Sequence, residues 1–229
     1  RNMVLALGGV FRLAPQDLNT LLVAAGFAPG PLGVDMQAPE MRWLHKALEL
    51  NMRALDPWAA TVQDKYGNLH LVNRGWLAML RALVAPEFLE PPINSYHMFF
   101  AERGLRARLV DWEDVACRLL ITLQQEVLLS GDADAAKLLG QLLDYPAIPA
   151  QWARRGAEIA FQNSFRLRLA MPDGGVRSYL YTVNTVGATP YVGEPRLLVS
   201  ILTPEDLRQE FSGAELLADD TLRHPLLHY

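Results

Sequence analysis

Five histidines, one cysteine, one acidic cluster and the second of two glycine pairs are the residues whose types could do chemistry in this chain. His45, His70 and His97 are scattered. His224 and His228 stand four apart, a separation at which two imidazoles can share a metal ion. They sit, however, in a tail around Pro225-Leu226-Leu227 with no acidic third ligand beside them, so no metal site is assigned. Cys117 lies between Ala116 and Arg118, and no histidine is placed to activate it as a nucleophile, so it reads as a core or inert thiol. Asp111, Glu113 and Asp114 invite a paired-carboxylate reading. They also open a helical pattern, where Asp111 caps free N–H groups and the other two meet the positive end of the helix dipole. Gly174-Gly175 follows Pro172-Asp173 and precedes a strand pattern, so it turns a hairpin and does not cradle phosphate. No convergent polar cluster of an enzyme emerges.

The elements that position these residues are mostly helical at first. Val4, Leu5, Leu7 and Phe11 give a first short helix that Gly8-Gly9 weakens or ends. Pro15 starts a second one carrying Leu18, Leu21, Leu22 and Ala25, with Gly26 as its left-handed cap. The Gly- and Pro-rich stretch that follows suits a linker. From Pro39 to Leu55, Met41, Leu44, Leu48, Met52 and Leu55 recur at three- and four-residue steps. A hairpin comes next, Trp58 to Gln63 returning through Leu69 to Val72, and Asn73 caps a helix holding Trp76, Leu77 and Leu80. Trp112, Val115, Leu119, Leu120, Leu123 and Val127 form the stripe of a long helix that Gly131 ends. Leu138 to Leu143 supply another, and Pro146 or Pro149 opens one carrying Trp152. After Gly156 the period changes to two. Ile159, Phe161, Phe165, Leu167 and Leu169 alternate, Tyr179, Tyr181 and Val183 continue after the turn at Met171 to Gly175, and Arg196 to Leu202 gives a last strand.

Strands at both ends of a helical insert pair into one antiparallel sheet covered on one face by helices. The fold expected is therefore α+β, a PAS-like antiparallel sheet covered by helices. The helical insert roofs a cavity against the sheet. Hydrophobic residues make up 51% of the chain and charged residues 20%, which places it among ordinary globular domains. A net charge of −4 advertises no overall nucleic-acid surface. A single cysteine excludes an internal disulfide, apolar runs stop short of a membrane span, and a cytoplasmic location is expected.

The chain resembles the MmyB-like regulators, XRE-type helix-turn-helix proteins with a PAS-like ligand-binding domain. The segment Leu18 to Pro29 looks like the last helix of that family's DNA-binding domain. Asp64 with Asn73-Arg74-Gly75-Trp76 resembles its first hairpin and following helix, and Asn94 with Phe99 its connecting segment. Val110-Asp111-Trp112-Glu113-Asp114-Val115-Ala116 is the most specific match, continued by Leu138 to Leu143, by Gln151-Trp152-Ala153-Arg154 and by Leu197 to Pro204. Gly156-Ala157-Glu158 departs from the family's His-Pro element. The resemblance implies a division into residues 1–30, a short all-α remnant of a helix-turn-helix domain, 31–38, a linker, 39–205, the sensor, and 206–229, a tail. It also implies DNA as a partner through a helix-turn-helix preceding residue 1, a homodimer, and a fatty acid or similar lipid-like ligand.

A fatty-acid site needs an apolar tunnel and one polar group at its mouth. The expected walls are Trp76, Met98, Phe99, Trp112, Val115, Leu119, Phe161, Phe165 and Tyr181, with Asn94, His97 and Arg166 as head-group partners. Plain core packing is the alternative for each wall residue, and a surface or capping role for each polar one. No cofactor is expected beyond a bound fatty acid such as a myristate-length chain. Cys117 lacks the motif of a flavin photosensor, and His97 is the one imidazole half-suited to haem. A PAS-like dimerisation module with its core filled by its own side chains is the competing reading.

Overall fold

The computed structural model describes residues 1–27, 29, 38–159, 164–186, 197–207 and 212–229. Phe161, the sequence around Arg196 and almost all of the expected linker lie outside them. Two short helices come first, α1 (Asn2–Phe11) and α2 (Pro15–Ala24). The pair Gly8-Gly9 does not end α1. Gly8 is buried against α2, where a Cβ would meet Leu18 Cδ1 at 2.5 Å, so the missing side chain lets the two helices approach. Pro15 opens α2 as expected, and Gly26 follows its C-cap at a φ of 78°.

A 3₁₀ turn at Pro39–Met41 leads into α3 (Arg42–Leu55). The hairpin is β1 (Ala59–Asp64) and β2 (Leu69–Val72). Its turn is closed by the Asp64 carboxylate, which accepts from the N–H groups of Tyr66 and Asn68 at 2.9 Å each. The helical insert runs through α4 (Arg74–Leu83), α5 (Ser95–Phe100), α6 (Trp112–Ser130), α7 (Ala133–Leu143) and α8 (Trp152–Glu158). The chain returns as β3 (Ser164–Ala170), β4 (Val176–Val186) and β5 (Leu197–Pro204), and a short α9 (Gly213–Ala218) follows. Ile159 caps α8 instead of starting a strand.

All strands pair antiparallel in the order β2-β1-β5-β4-β3, so the terminal β5 enters between the first hairpin and the β3–β4 hairpin. This is the α+β, PAS-like sheet expected from the order of elements. Period-two alternation gives β1 two different faces. Ala60 and Val62 pack with Leu71, Leu197 and the α3 residues Leu48 and Met52. Ala59 belongs to the larger core, with residues of α4 to α7 and with Leu167, Tyr179, Tyr181 and Leu202 of the sheet. Helices therefore lie on both faces, where one covered face was expected. The stripe of α3 is what covers the second.

Asn73 holds the insert to the sheet. It has no exposed surface, and its Oδ1 accepts from Trp76 N at 2.8 Å and Ala60 N at 2.9 Å. Its Nδ2 donates to Trp58 O at 2.7 Å. One side chain thus caps α4 and fixes its start against β1. Among the described residues no helix is long and apolar enough to cross a membrane.

Candidate ligand-binding cavity

The strand alternation that buries Tyr181 also aims Val183 and Thr185 at the underside of α6. Opposite them α6 presents Arg118, Leu119, Thr122 and Leu123. Between lies a partly open cavity of about 800 Å³, bordered by Tyr96 and Phe99 of α5, by Gly156 and Ile159 at α8, and by Gln63 and Leu198 of the sheet. That size is within the ~300–1,000 Å³ of small-molecule pockets. Gly156 is what lets α8 close this wall. A Cβ there would sit 2.7 Å from Cys117 O and 2.9 Å from Ile121 Cβ, so only glycine permits this spacing of α8 on α6.

A second, apolar chamber of about 40 Å³ adjoins the first and shares Gln63, Ser95, Phe99 and Tyr181 with it. Trp76, Leu80, Met98 and Leu105 line its far end. The rings of Phe99 and Tyr181 stand edge to face with centroids 6.1 Å apart, and Phe165 packs on Tyr181 at 5.1 Å. Phe99 and Tyr181 therefore form the partition between chambers. The Tyr181 hydroxyl donates to Ser200 Oγ at 3.0 Å. Gln63, only 7% exposed, has an Oε1 with no hydrogen-bond partner among the described residues, an acceptor awaiting a donor.

Of the walls expected from sequence, Phe99, Leu119, Phe165 and Tyr181 meet at the main cavity, and Trp76 and Met98 at the inner chamber. Trp112 packs instead on Phe100 at 5.1 Å, and Val115 is buried in the core away from both chambers. Phe161 lies outside the described residues.

The expected head-group residues lie elsewhere, each with a local partner. Asn94 Oδ1 caps α5 through His97 N at 3.2 Å, while its Nδ2 donates to Tyr66 O and Asn68 Oδ1 at 2.9 Å. His97 Nδ1 is 3.1 Å from the Tyr145 hydroxyl, and burial holds its pKa below the ordinary histidine value. Arg166, 61% exposed, pairs with Glu205 at 2.7 Å.

Among the described residues two cations line the cavity, Arg118 and Lys65, and Arg118 is the one without an ion-pair partner. It stacks on Phe165 with its guanidinium 4.9 Å from the ring centre, and burial lowers its pKa from the usual arginine value. Among the described residues no carboxylate lies within ion-pair distance of it, since the nearby Asp114 is held by Arg155 at 2.7 Å. Nothing in the spacing of α6 singled Arg118 out, because the ring it rests on comes from β3. Lys65, toward the C-terminal end of α6, is already neutralised by Asp132 and Glu126. Asp132 also accepts from the Tyr66 hydroxyl at 2.7 Å and caps α7 through Asp134 N at 2.9 Å. Burial pushes the Asp132 carboxyl up, but the bonds from Lys65 and Tyr66 outweigh this and hold it below the usual range.

The remaining reactive groups have structural roles. Cys117 is fully buried, and burial raises its pKa, which disfavours the thiolate. Asp111 occupies the N-cap position of α6, but its carboxylate makes no capping bond. It accepts from Arg168 Nε at 2.6 Å instead, tying α6 to β3. The turn at Gly174 closes the β3–β4 hairpin, as the sequence suggested.

Several solved structures are similar to the chain. The PAS domain of an HTR-like protein from Haloarcula marismortui aligns at 12% identity and a TM-score of 0.30, over 72% of this chain and 94% of that one. The PAS domain of BvgS from Bordetella pertussis aligns at 17% identity and 0.30, over 76% and 93%. A light-oxygen-voltage domain studied with a flavin analogue aligns at 11% and 0.33, over 82% and 98%. No curated protein matches the chain. The family model described as the MmyB-like transcription regulator ligand binding domain matches residues 44–220, which include the helical roof, the whole sheet and both chambers. The chain therefore belongs to the family of MmyB-like transcription regulator ligand-binding domains.

Proposed function

We propose that the cavity binds a fatty acid or a similar lipid-like acid, with Arg118 receiving its carboxylate and the chambers divided by Phe99 and Tyr181 taking its chain. The observation that carries this reading is a half-buried arginine with no carboxylate partner among the described residues, on the wall of a cavity whose lining mixes apolar side chains with polar ones. Burying a myristoyl-length tail contributes roughly 10 kcal/mol gross, at ~0.8 kcal/mol per methylene. Ordering the flexible chain removes much of that. A bond from a charged donor adds ~1.5–3 kcal/mol. The tail therefore sets affinity and Arg118 sets the choice of head group. A cavity of about 800 Å³ favours this reading over a dimerisation module packed with its own side chains.

In the intact regulator the ligand would favour one packing of α5, α6 and α8 on the sheet, and so one arrangement of DNA-binding domains. Such a bias is no larger than the ligand's difference in affinity between the two states. The setting is a cytoplasmic, one-component regulator, with residues 1–30 as the end of a helix-turn-helix domain that reads DNA as a homodimer. Trp43 and Leu50 of α3, 74% and 56% exposed, support a dimer contact through that helix. Native mass spectrometry of the purified protein, followed by organic extraction, tests the ligand. An adduct identified as a fatty acid is expected. Recovery of apo protein that also shows no thermal shift with fatty acids of 10 to 18 carbons (roughly the range such a volume admits) would count against it.

A further inference from the structure

On the sheet face away from the cavity, the C-terminal tail returns to α3. His45 and Glu49 are one helical turn apart on α3, and His228 of the tail lies against both. His45 Nε2 is 2.9 Å from His228 Nδ1, and each of these nitrogens is 3.6 Å from Glu49 Oε1. We propose that these three side chains form a binding site for a transition-metal dication, with zinc the best fit.

The geometry is that of a ligand set. With bonds of ~2.0–2.2 Å, atoms around a tetrahedral zinc lie roughly 3.4 Å apart, and the three observed separations bracket that value. A point roughly 2.0 Å from all three atoms exists without moving any of them, which is a Zn–N bond length. The neighbours set the right protonation. His228 Nε2 is 3.1 Å from Pro225 O, and only an N–H can bond a carbonyl. The His228 Nδ1 lone pair is therefore left for a metal. Lys46 donates to the other oxygen of Glu49 at 2.9 Å, which orients the carboxylate and keeps it ionised. The three side chains are only 16%, 18% and 26% exposed, so the site is recessed. Two imidazoles and a carboxylate suit zinc, nickel or copper better than magnesium or calcium. Three protein ligands leave a fourth position for water.

His224, the residue paired with His228 by spacing alone, takes no part. Its Nε2 is 2.6 Å from Leu89 O and its Nδ1 accepts from Leu226 N at 3.1 Å. The partners of His228 come from 183 and 179 positions away along the chain, where sequence spacing cannot find them. Metal binding would clamp the tail onto α3, the helix that precedes the sensor's first strand. It is independent of the acyl ligand.

The test uses the purified chain after removal of metals by chelation. Zinc chloride is titrated by calorimetry and cobalt chloride by visible absorption. One equivalent with tetrahedral cobalt bands is expected, weakened at least ~100-fold in His45→Gln and in His228→Gln, since even outer partners of a metal ligand matter ~10–100-fold. Zinc should also raise the melting temperature of the wild type but not of His228→Gln, whose substitution lies in the tail and leaves the core intact. Absence of saturable binding, or equal binding by a His45→Gln/His228→Gln double variant, would overturn the proposal. A direct His45–His228 hydrogen bond would then account for the contact.

Discussion

Replacing Arg118 with methionine removes the guanidinium and keeps an apolar stem against Phe165. In the free protein the change sacrifices a cation–π contact at 4.9 Å, worth ~0.5–1 kcal/mol, and no ion pair among the described residues. Stability should fall by less than about 1 kcal/mol. Binding should respond very differently to the two halves of the ligand. A carboxylate bonded by Arg118 contributes ~1.5–3 kcal/mol, and because Arg118 is only half-buried the lower end applies. Myristic acid should therefore bind about 10–30-fold more weakly to Arg118→Met than to the wild type. The alcohol of the same chain length carries no charge, so its affinity should change by no more than about threefold. Four calorimetric titrations, acid and alcohol against wild type and variant, close a thermodynamic cycle that isolates the head-group contact. Equal weakening of acid and alcohol, or no weakening of the acid, would refute the assignment of Arg118 even if the tail binds as described.

Three further outcomes follow from the same geometry. Val183→Phe narrows the main cavity from the sheet side and should shift preference toward shorter acids without loss of fold, measured as melting-temperature shifts across a chain-length series. Gly156→Ala forces α8 off α6 and should lower stability by roughly 1–3 kcal/mol in denaturant titrations, with weaker ligand binding. Asp132→Asn keeps the α7 cap acceptor but leaves Lys65 only its longer contact to Glu126 at 3.5 Å, and should lower stability at pH 7 by about 1–2 kcal/mol. The folded pKa of Asp132 is depressed, so its contribution is whole above the unfolded value of about 3.9 and is lost as pH falls through the folded one. The difference between wild type and variant should shrink below about pH 4, and a constant difference down to pH 2 would refute this.

Where a local period governs, the sequence carried the fold. The α3 stripe from Met41 to Leu55, the α6 stripe and the β4 alternation all sit where their spacing put them. Asn73 capped its helix as its type suggested. Reading failed where a residue's partner is distant. Gly8 looked like a breaker because Leu18 was not known to lie on it. Asp111 looked like a cap because Arg168 of β3, which takes its carboxylate, is 57 positions away. The candidate site divides in the same way. Its apolar walls were partly legible, since large apolar residues on the insert and the sheet must meet in this fold. Its polar group was not. Asn94, His97 and Arg166 have the right chemistry but found partners nearby, and Arg118, which has no ion pair among the described residues, meets the site through a contact between α6 and β3.

The central claim is that a lipid-like acid occupies the space between α6 and the sheet. An experimental structure of the protein as purified, or soaked with myristic acid, tests it most directly. The expected result is elongated density running from Arg118 along Phe165 and Leu119 toward the Phe99–Tyr181 partition. Density confined to ordered water, with side chains closing the cavity and Arg118 turned out to solvent, would contradict it.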